Sequence, residues 1–274
     1  MTRRPSERID VTRVTGRGGD REVHIRPDDL IVEEPLSIQL DGTLVSTTMR
    51  TPGHDHELAV GFCFTEGLFG DAEVLGVRHC SDETTAASAS NVVTVDTGTL
   101  APAPTPRLGN VSSSCGWCGS RHLDELCARL EPLPDGGPID LDVIGSIVDA
   151  VLDGQGLFAS TGSVHAAAAF DTSGAVLLTR EDVGRHNAVD KVVGALVLRR
   201  HGLPALPATG HGLFVSGRAS IEMVQKAWAA GFSTLVSVSA PTALAVDAAR
   251  RANLVLAGFV RGDAFNVYAP ERLP

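Results

Sequence analysis

The sequence predicts an α/β protein in two unequal parts, a small α+β unit followed by a larger domain of alternating strands and helices. Three observations carry this. Beyond residue 138, apolar runs of strand length alternate with stretches of helical spacing, which implies crossover connections and a mainly parallel sheet covered on both faces. Before residue 100, short apolar runs separated by turn residues surround a single helical stretch. Between them, Ala101-Pro102-Ala103-Pro104-Thr105-Pro106 reads as a stiff extended linker. The expected organisation is a disordered Arg-rich tail over 1–21, a small α+β domain over 22–100, a Pro-rich linker and loop over 101–137, and an α/β domain over 138–274.

The elements follow in order. Leu36–Leu40 and Leu44–Met49 flank Asp41-Gly42, a strong hairpin signal. Asp55–Glu66 reads as a helix capped by Asp55 after the Thr51-Pro52-Gly53 turn. Strands at Val74–Cys80 and Asn91–Val95 complete the first unit. In the second, Leu141, Ile144, Val148, Val151 and Leu152 keep helical spacing behind an Asp140 cap. Strands at Val164–Phe170 and Val176–Thr179 follow, then a helix over Arg185–Arg200, a strand at Leu213–Ser216 and a helix over Ile221–Ala230. A strand at Thr234–Ser239, a helix over Thr242–Arg251 and strands at Leu254–Val260 and Phe265–Tyr268 finish the chain.

Composition limits the function classes. A net charge of −10 argues against a general nucleic-acid binder, which needs clustered cations. No apolar run approaches the roughly 20 residues a membrane helix requires. The N-terminus has no apolar core of the secretory type, so a cytoplasmic location is expected. Five cysteines (Cys63, Cys80, Cys115, Cys118 and Cys127) in so long a chain are not a disulfide framework. Lys191 and Lys226 are the only lysines, which marks them as positions where a compact ammonium is wanted in place of a guanidinium.

The chemistry concentrates in four places. Ser112-Ser113-Ser114-Cys115-Gly116-Trp117-Cys118-Gly119 describes a loop that presents two thiols, at the expected hinge between the halves. The pair fits a persulfide carrier, a thioredoxin-like redox pair, or half of a zinc site with His122 and Cys127, although that spacing departs from the usual paired-ligand pattern. Three strand-to-helix junctions, 180–187, 216–220 and 239–242, are candidate anion sites. Ligands of such sheets bind outside the carboxyl ends of the strands, where helix N-termini offer free N–H groups. There Arg185, Ser216, Gly217, Arg218 and Ser220 are candidate phosphate ligands, although the same residue types also cap helices with no ligand present. His165, after a glycine-bearing turn, and His186, beside Arg185 and Asp182, are candidate site histidines.

Several of these segments resemble the formate dehydrogenase accessory sulfurtransferase family, FdhD/NarQ. The resemblance covers about Glu33 to Pro270. It is carried by Glu34-Pro35-Leu36, Met49-Arg50-Thr51-Pro52 through Ala59-Val60-Gly61-Phe62, Cys115-Gly116-Trp117-Cys118-Gly119 and the run Arg180 to Lys191. It continues in Ser216-Gly217-Arg218-Ala219-Ser220 with Gln225-Lys226, in Ser239-Ala240-Pro241-Thr242, and in Gly258-Phe259-Val260-Arg261. Ser163 departs from it, standing where the family often has a second glycine after Thr161-Gly162.

The resemblance implies a cytidine-deaminase-like three-layer αβα domain in the second half. It implies a sulfurtransferase that takes persulfide sulfur from a cysteine desulfurase and passes it to a molybdenum or tungsten bis(molybdopterin guanine dinucleotide) cofactor. That cofactor then enters the formate dehydrogenase apo-enzyme. Cys115 would carry the persulfide with Cys118 assisting; Phe259, Val260, Arg261, Gly262, Asp263 and Ala264 would lie at the cofactor, with Lys191 and Lys226 inside matching motifs. A homodimer is implied too. Zinc deaminases use His-x-Glu and a downstream Pro-Cys-x-x-Cys. Here Ala166 and Ala167 follow His165 and no cysteine lies beyond Cys127, so no catalytic zinc is expected. The alternatives are a non-catalytic cofactor-binding chaperone of formate dehydrogenase with structural cysteines, and a zinc-binding interaction module.

Overall fold

The computed structural model describes residues 4–79, 91–103, 124, 128–134, 139–199 and 202–269. Its strands form three sheets. β1 (Ser6–Thr15) and β2 (Glu22–Ile31) make an antiparallel ribbon. This corrects the expected tail: an alternating pattern on either side of a Gly16–Gly19 turn gives ten cross-strand pairs, and Gly16 adopts a φ of +81 that suits glycine.

The next sheet has the order β4-β3-β6-β5, from β3 (Glu34–Leu40), β4 (Thr43–Arg50), β5 (Gly76–His79) and β6 (Val92–Asp96). Asp41 and Gly42 both take positive φ, as a two-residue hairpin turn demands. Leu36, Ile38, Leu40, Val93 and Val95 point inward against Leu58, Ala59 and Cys63 of α1 (Asp55–Thr65). Asp55 is the first residue of α1; the cap position is His54, in the left-handed region at φ +57.

The large sheet has the order β12-β11-β10-β9-β7-β8. It comprises β7 (His165–Phe170), β8 (Val176–Asp182), β9 (Gly212–Val215), β10 (Thr234–Ser237), β11 (Val255–Arg261) and β12 (Ala264–Ala269). It is mixed. β9, β10 and β11 run parallel, whereas β7 pairs antiparallel with β8 and β9, and β12 with β11. The expectation of a mainly parallel sheet fails because β7–β8 and β11–β12 are joined by short turns, which permit only antiparallel neighbours.

Alternation along each strand serves two cores. Ala167, Ala169, Leu213, Val215 and Leu256 face one side, under α4 (Arg185–Val197), α5 (Ile221–Ala229) and α6 (Ala243–Ala252). Ala168, Phe170, Phe214, Val236 and Ala257 face the other, under α2 (Leu141–Leu152). Each buried Val or Leu in these layers contributes roughly 1.5–3 kcal/mol. The short α3 (Gly156–Thr161), which carries no strong periodicity, follows α2.

The halves are not hinged. α1 lies against α4 so closely that a Cβ on Gly61 would overlap the Asp190 carbonyl, and one on Gly194 the Glu57 carbonyl. Two glycines facing each other let the helix backbones touch, which fuses the small unit to the large one. No helix among the described residues is long and apolar enough to cross a membrane.

Candidate functional site

β7 runs against β9, so its first residue, His165, lies beside the carboxyl end of β9 and opposite Asp182, the last residue of β8. The helices that follow β8, β9 and β10 all begin at this edge. Arg185 opens α4 after the Gly184 cap position, Ser220 caps α5, and Thr242 caps α6 with its hydroxyl on the Ala245 amide at 3.2 Å. Only the last cap carries a side-chain bond. Gly184 and Ser220 make none.

Arg185, His165 and Gly217 meet here: a Cβ on Gly217 would lie 3.1 Å from Arg185 Cδ and 3.5 Å from the His165 ring. Ser216 Oγ accepts from the Ala166 amide at 2.9 Å and lies 3.4 Å from His165 Nδ1. Two buried polar atoms at this edge, Arg185 Nε and Ser220 Oγ, have no hydrogen-bond partner among the described residues. Buried polar groups are almost always paired, so two orphans on adjacent helix N-termini mark missing acceptors.

Electrostatics agree. Burial, then the charge of Arg218, disfavours the Arg185 cation, with Glu222 opposing. Burial and the Arg185 charge push His165 down. Burial, followed by Lys226, Arg185 and His165, pushes His186 to about 3. In all three, burial is the larger cause and neighbouring positive charge adds to it, a field that an anion would offset.

Beside this edge lies a cavity of about 430 Å³, lined by Val148, Leu152, Phe158, Val164, Phe214 and Val238, with His165, Ser216, Ser163 and Gln155 as its polar members. A mostly apolar pocket with a few convergent polar groups is the usual form of a small-molecule site. The β11–β12 turn is two strands from β9. Phe259 is exposed there with φ +56, a left-handed conformation rare for an aromatic residue, and its amide donates to the Ser239 carbonyl at 3.2 Å. Ser237 Oγ, which donates to the Gly217 carbonyl at 2.7 Å, ties the neighbouring turns together.

The structure thus brings His165, Arg185, Ser216, Gly217, Arg218 and Ser220 to one edge. His186 is there too, largely buried, and Arg261, Gly262, Asp263 and Ala264 are exposed on the turn. Val260, just before them, is fully buried in the core beneath α2.

Both lysines are buried as well. Lys191 Nζ is 2.7 Å from the fully buried Asp182 carboxylate and donates to the Thr51 and Glu181 carbonyls at 3.0 and 3.2 Å. Lys226 Nζ donates to both Asp190 oxygens at 2.8 and 2.9 Å and to Thr65 Oγ1 at 2.9 Å. An ammonium has three protons, and these are spent inside the protein. Cys115 and Cys118, with the zinc set that adds His122 and Cys127, lie outside the described residues.

Sequence reasoning missed the supports. Arg180 pairs with Glu57 at 2.6 and 3.0 Å, and Glu181 caps α3 through the Leu157 and Phe158 amides at 2.9 and 2.8 Å. Asp182 accepts from the Thr51 and Gly184 amides and from Asn187, while Thr51 Oγ1 accepts from the Val183 amide at 3.1 Å. These bonds set the turn that aims Arg185. Thr51 lies in a motif quoted for the resemblance, but nothing in a lone Thr-Pro shows that it reaches residue 183. The apolar cavity lining carries no sequence signal at all.

Fold and site together define an α/β protein with a cluster of arginine, serine and histidine side chains at a sheet edge beside an apolar pocket. Its kinship is specific. The chain belongs to the FdhD/NarQ family, whose model matches residues 31–273. It is 46% identical over 256 residues to the sulfur carrier protein FdhD of Anaeromyxobacter dehalogenans, covering 90% of this chain and 88% of that protein. To the protein of the same name from Streptomyces avermitilis it is 44% identical over 276 residues, 98% of this chain and 95% of the other. The crystal structure of a protein from Desulfotalea psychrophila, described as a formate dehydrogenase accessory protein, superposes with a TM-score of 0.76. That match has 25% identity and covers 97% of this chain and 99% of the other.

Proposed function

We propose that this protein is a persulfide sulfurtransferase in the maturation of formate dehydrogenase, with the α/β domain read as cytidine-deaminase-like. The orphaned Arg185 Nε and Ser220 Oγ, one on each of two neighbouring helix N-termini beside an apolar pocket, support the acceptor half of this reading. A guanine dinucleotide carries phosphates for the first and planar aromatic rings whose faces suit the second. Family membership supports the sulfur-carrying half.

The Cys115 thiolate attacks the terminal sulfur of a cysteine desulfurase persulfide. An S–S bond forms to Cys115, the donor's S–S bond breaks, and the donor leaves as a thiolate. The Cys118 thiolate then attacks Cys115 Sγ, giving a Cys115–Cys118 disulfide and releasing hydrosulfide toward the bound molybdenum or tungsten bis(molybdopterin guanine dinucleotide), the sulfur acceptor. A dithiol reductant returns the disulfide to two thiols. Arg185, Arg218 and Ser220 hold the phosphates of the acceptor, His165 and Ser216 close the pocket, and the 259–264 turn flanks it. The acceptor then passes to the formate dehydrogenase apo-enzyme.

Intact-mass measurement after incubation with desulfurase and cysteine is expected to show about one added sulfur atom, absent in Cys115→Ala. Equal gain in that variant removes Cys115 from the mechanism. In cells, Cys115→Ala/Cys118→Ala is expected to abolish formate dehydrogenase activity, whereas retained activity favours a chaperone. Calorimetry is expected to show GDP binding, weakened about ten- to a hundredfold by Arg218→Ala through loss of a charge-assisted bond. Absence of GDP binding at low salt refutes the anion site.

A further inference from the structure

Four polar side chains line the cavity, and three of them have partners inside the protein. Ser216 Oγ accepts from the Ala166 amide at 2.9 Å and lies 3.4 Å from His165 Nδ1. Ser163 Oγ donates to the Thr161 carbonyl at 3.1 Å. Gln155 differs. It is 6% exposed, it lines the cavity, and its carboxamide makes no hydrogen bond among the described residues. Glutamine belongs mostly to surfaces, and buried polar groups are almost always paired.

Its place in the fold explains why this carboxamide has no structural use. Gln155 holds the cap position of α3, where a side chain ordinarily accepts from the first-turn amides. Glu181 takes that role instead, reaching from β8 to the Leu157 and Phe158 amides at 2.9 and 2.8 Å. The Gln155 backbone is satisfied too: its amide donates to the Leu152 carbonyl at 3.1 Å, and its carbonyl accepts from the Ala159 amide at 3.0 Å. What remains is an NH2 donor and a carbonyl acceptor in one plane. Around them, Val148 and Leu152 of α2 and Phe214 of β9 supply apolar walls on which a flat ring can lie.

A carboxamide among such walls answers a ring edge that sets an N–H beside a keto oxygen. We infer that Gln155 reads the lactam edge of the sulfur acceptor's ring, its oxygen accepting from the ring N–H and its NH2 donating to the adjacent keto oxygen. The inference rests on the acceptor reading proposed above and adds the residue that recognises the ring. Guanine and pterin, the two heterocycles of the acceptor, share this edge.

The test is calorimetry on the full chain and on Gln155→Met and Gln155→Leu, which remove the carboxamide at similar volume, with thermal melting as the fold control. IDP and purine riboside 5′-diphosphate differ only in the lactam. The parent is expected to bind IDP about tenfold more tightly than the purine riboside compound, the worth of one or two neutral hydrogen bonds. Both variants are expected to lose that margin, while their affinity for pyrophosphate, which meets only the arginine and serine cluster, stays within about twofold. A comparable loss for neopterin, with IDP indifferent to the substitution, assigns the same edge to the pterin. If neither IDP nor neopterin binding changes in the variants while the parent binds GDP, the role of Gln155 is overturned and the acceptor reading stands. An equal loss for pyrophosphate makes Gln155 a packing residue and overturns it as well. A parent that binds neither GDP nor neopterin removes the acceptor reading, and this inference with it.

Discussion

The polar side chains that α4 and α5 contribute divide into an interior clasp of paired charges and a sheet-edge pocket of unpaired ones. The two sets sit on the same helices. Lys191 and Arg185 both belong to α4; Lys226 lies on α5 and Ser220 caps it. In the clasp, Lys191 meets Asp182, Lys226 meets Asp190, and Arg180 meets Glu57, each within 3.0 Å. In the pocket, Arg185 Nε and Ser220 Oγ are buried with no partner among the described residues. The difference teaches that a polar residue in a family motif has two distinct uses. Complete pairing belongs to architecture, and a missing acceptor belongs to a ligand.

The hardest test of that division is Lys226→Met. It leaves the buried Asp190 carboxylate facing a thioether, with Glu66 also near, 3.7 Å from the lost ammonium. Removing one partner of a buried pair costs about 3–5 kcal/mol, because the remaining charge is uncompensated. Urea unfolding is expected to show that loss, while Arg218→Ala, on an exposed side chain, is expected to move stability by less than about 0.5 kcal/mol. Equal effects from the two would erase the distinction.

A smaller effect comes from pH. Burial, then the charges of Lys226, Arg185 and His165, holds His186 near 3, against an ordinary value of 6.5. Between those values the unfolded chain binds more protons than the native one, so stability rises with pH and is lost as pH falls from about 6.5 toward 3. The loss attributable to His186 is on the order of 3 kcal/mol at about pH 4.5. Unfolding curves of the parent and His186→Asn are expected to converge in relative stability by that amount on acidification. Saturating GDP is expected to shrink the difference, because its negative charge raises the pKa of His186. A GDP-independent difference would mean that the ligand does not reach the field of this pocket. Glu57 adds a separate limb. Burial raises its carboxyl, but the hydrogen bonds from His54 and Arg180 outweigh burial and hold it at about 2, so its contribution is lost between about 4.5 and 2.

How much of this was legible depends on whether the cause was local. The Asp41-Gly42 hairpin, the Asp140 cap, whose carboxylate accepts from the Asp142 amide at 3.0 Å, and the alternation from β7 onward follow from neighbours in sequence. The antiparallel placement of β7 between β8 and β9 did not, because strand direction is set by which partner is nearest in space. Site residues divide the same way. Arg185, Arg218 and Ser220 are readable as candidates because helix N-termini form anion sites by local geometry. The ion pairs of Lys191 and Lys226 are not readable, because Asp182 and Asp190 become their partners only through burial among α1, α4 and α5. The ribbon was missed for a related reason: its polar, glycine-rich tip reads as disorder, and only the cross-strand register reveals the pairing.

Ser220→Ala probes the smallest expected effect. A serine at a helix cap usually hydrogen-bonds the first turn, and its loss costs about 0.5–2 kcal/mol. Ser220 makes no such bond, and its hydroxyl is buried without a partner among the described residues. Removing it therefore costs no existing interaction and relieves an unsatisfied group, so the melting temperature is expected to hold steady or rise slightly. GDP affinity is expected to fall two- to about tenfold, the value of one neutral hydrogen bond. Stability and binding should thus move in opposite directions at this position, as at sites that sacrifice stability for a ligand. A clear fall in melting temperature with unchanged GDP affinity would make Ser220 an ordinary cap and move it from the pocket to the clasp.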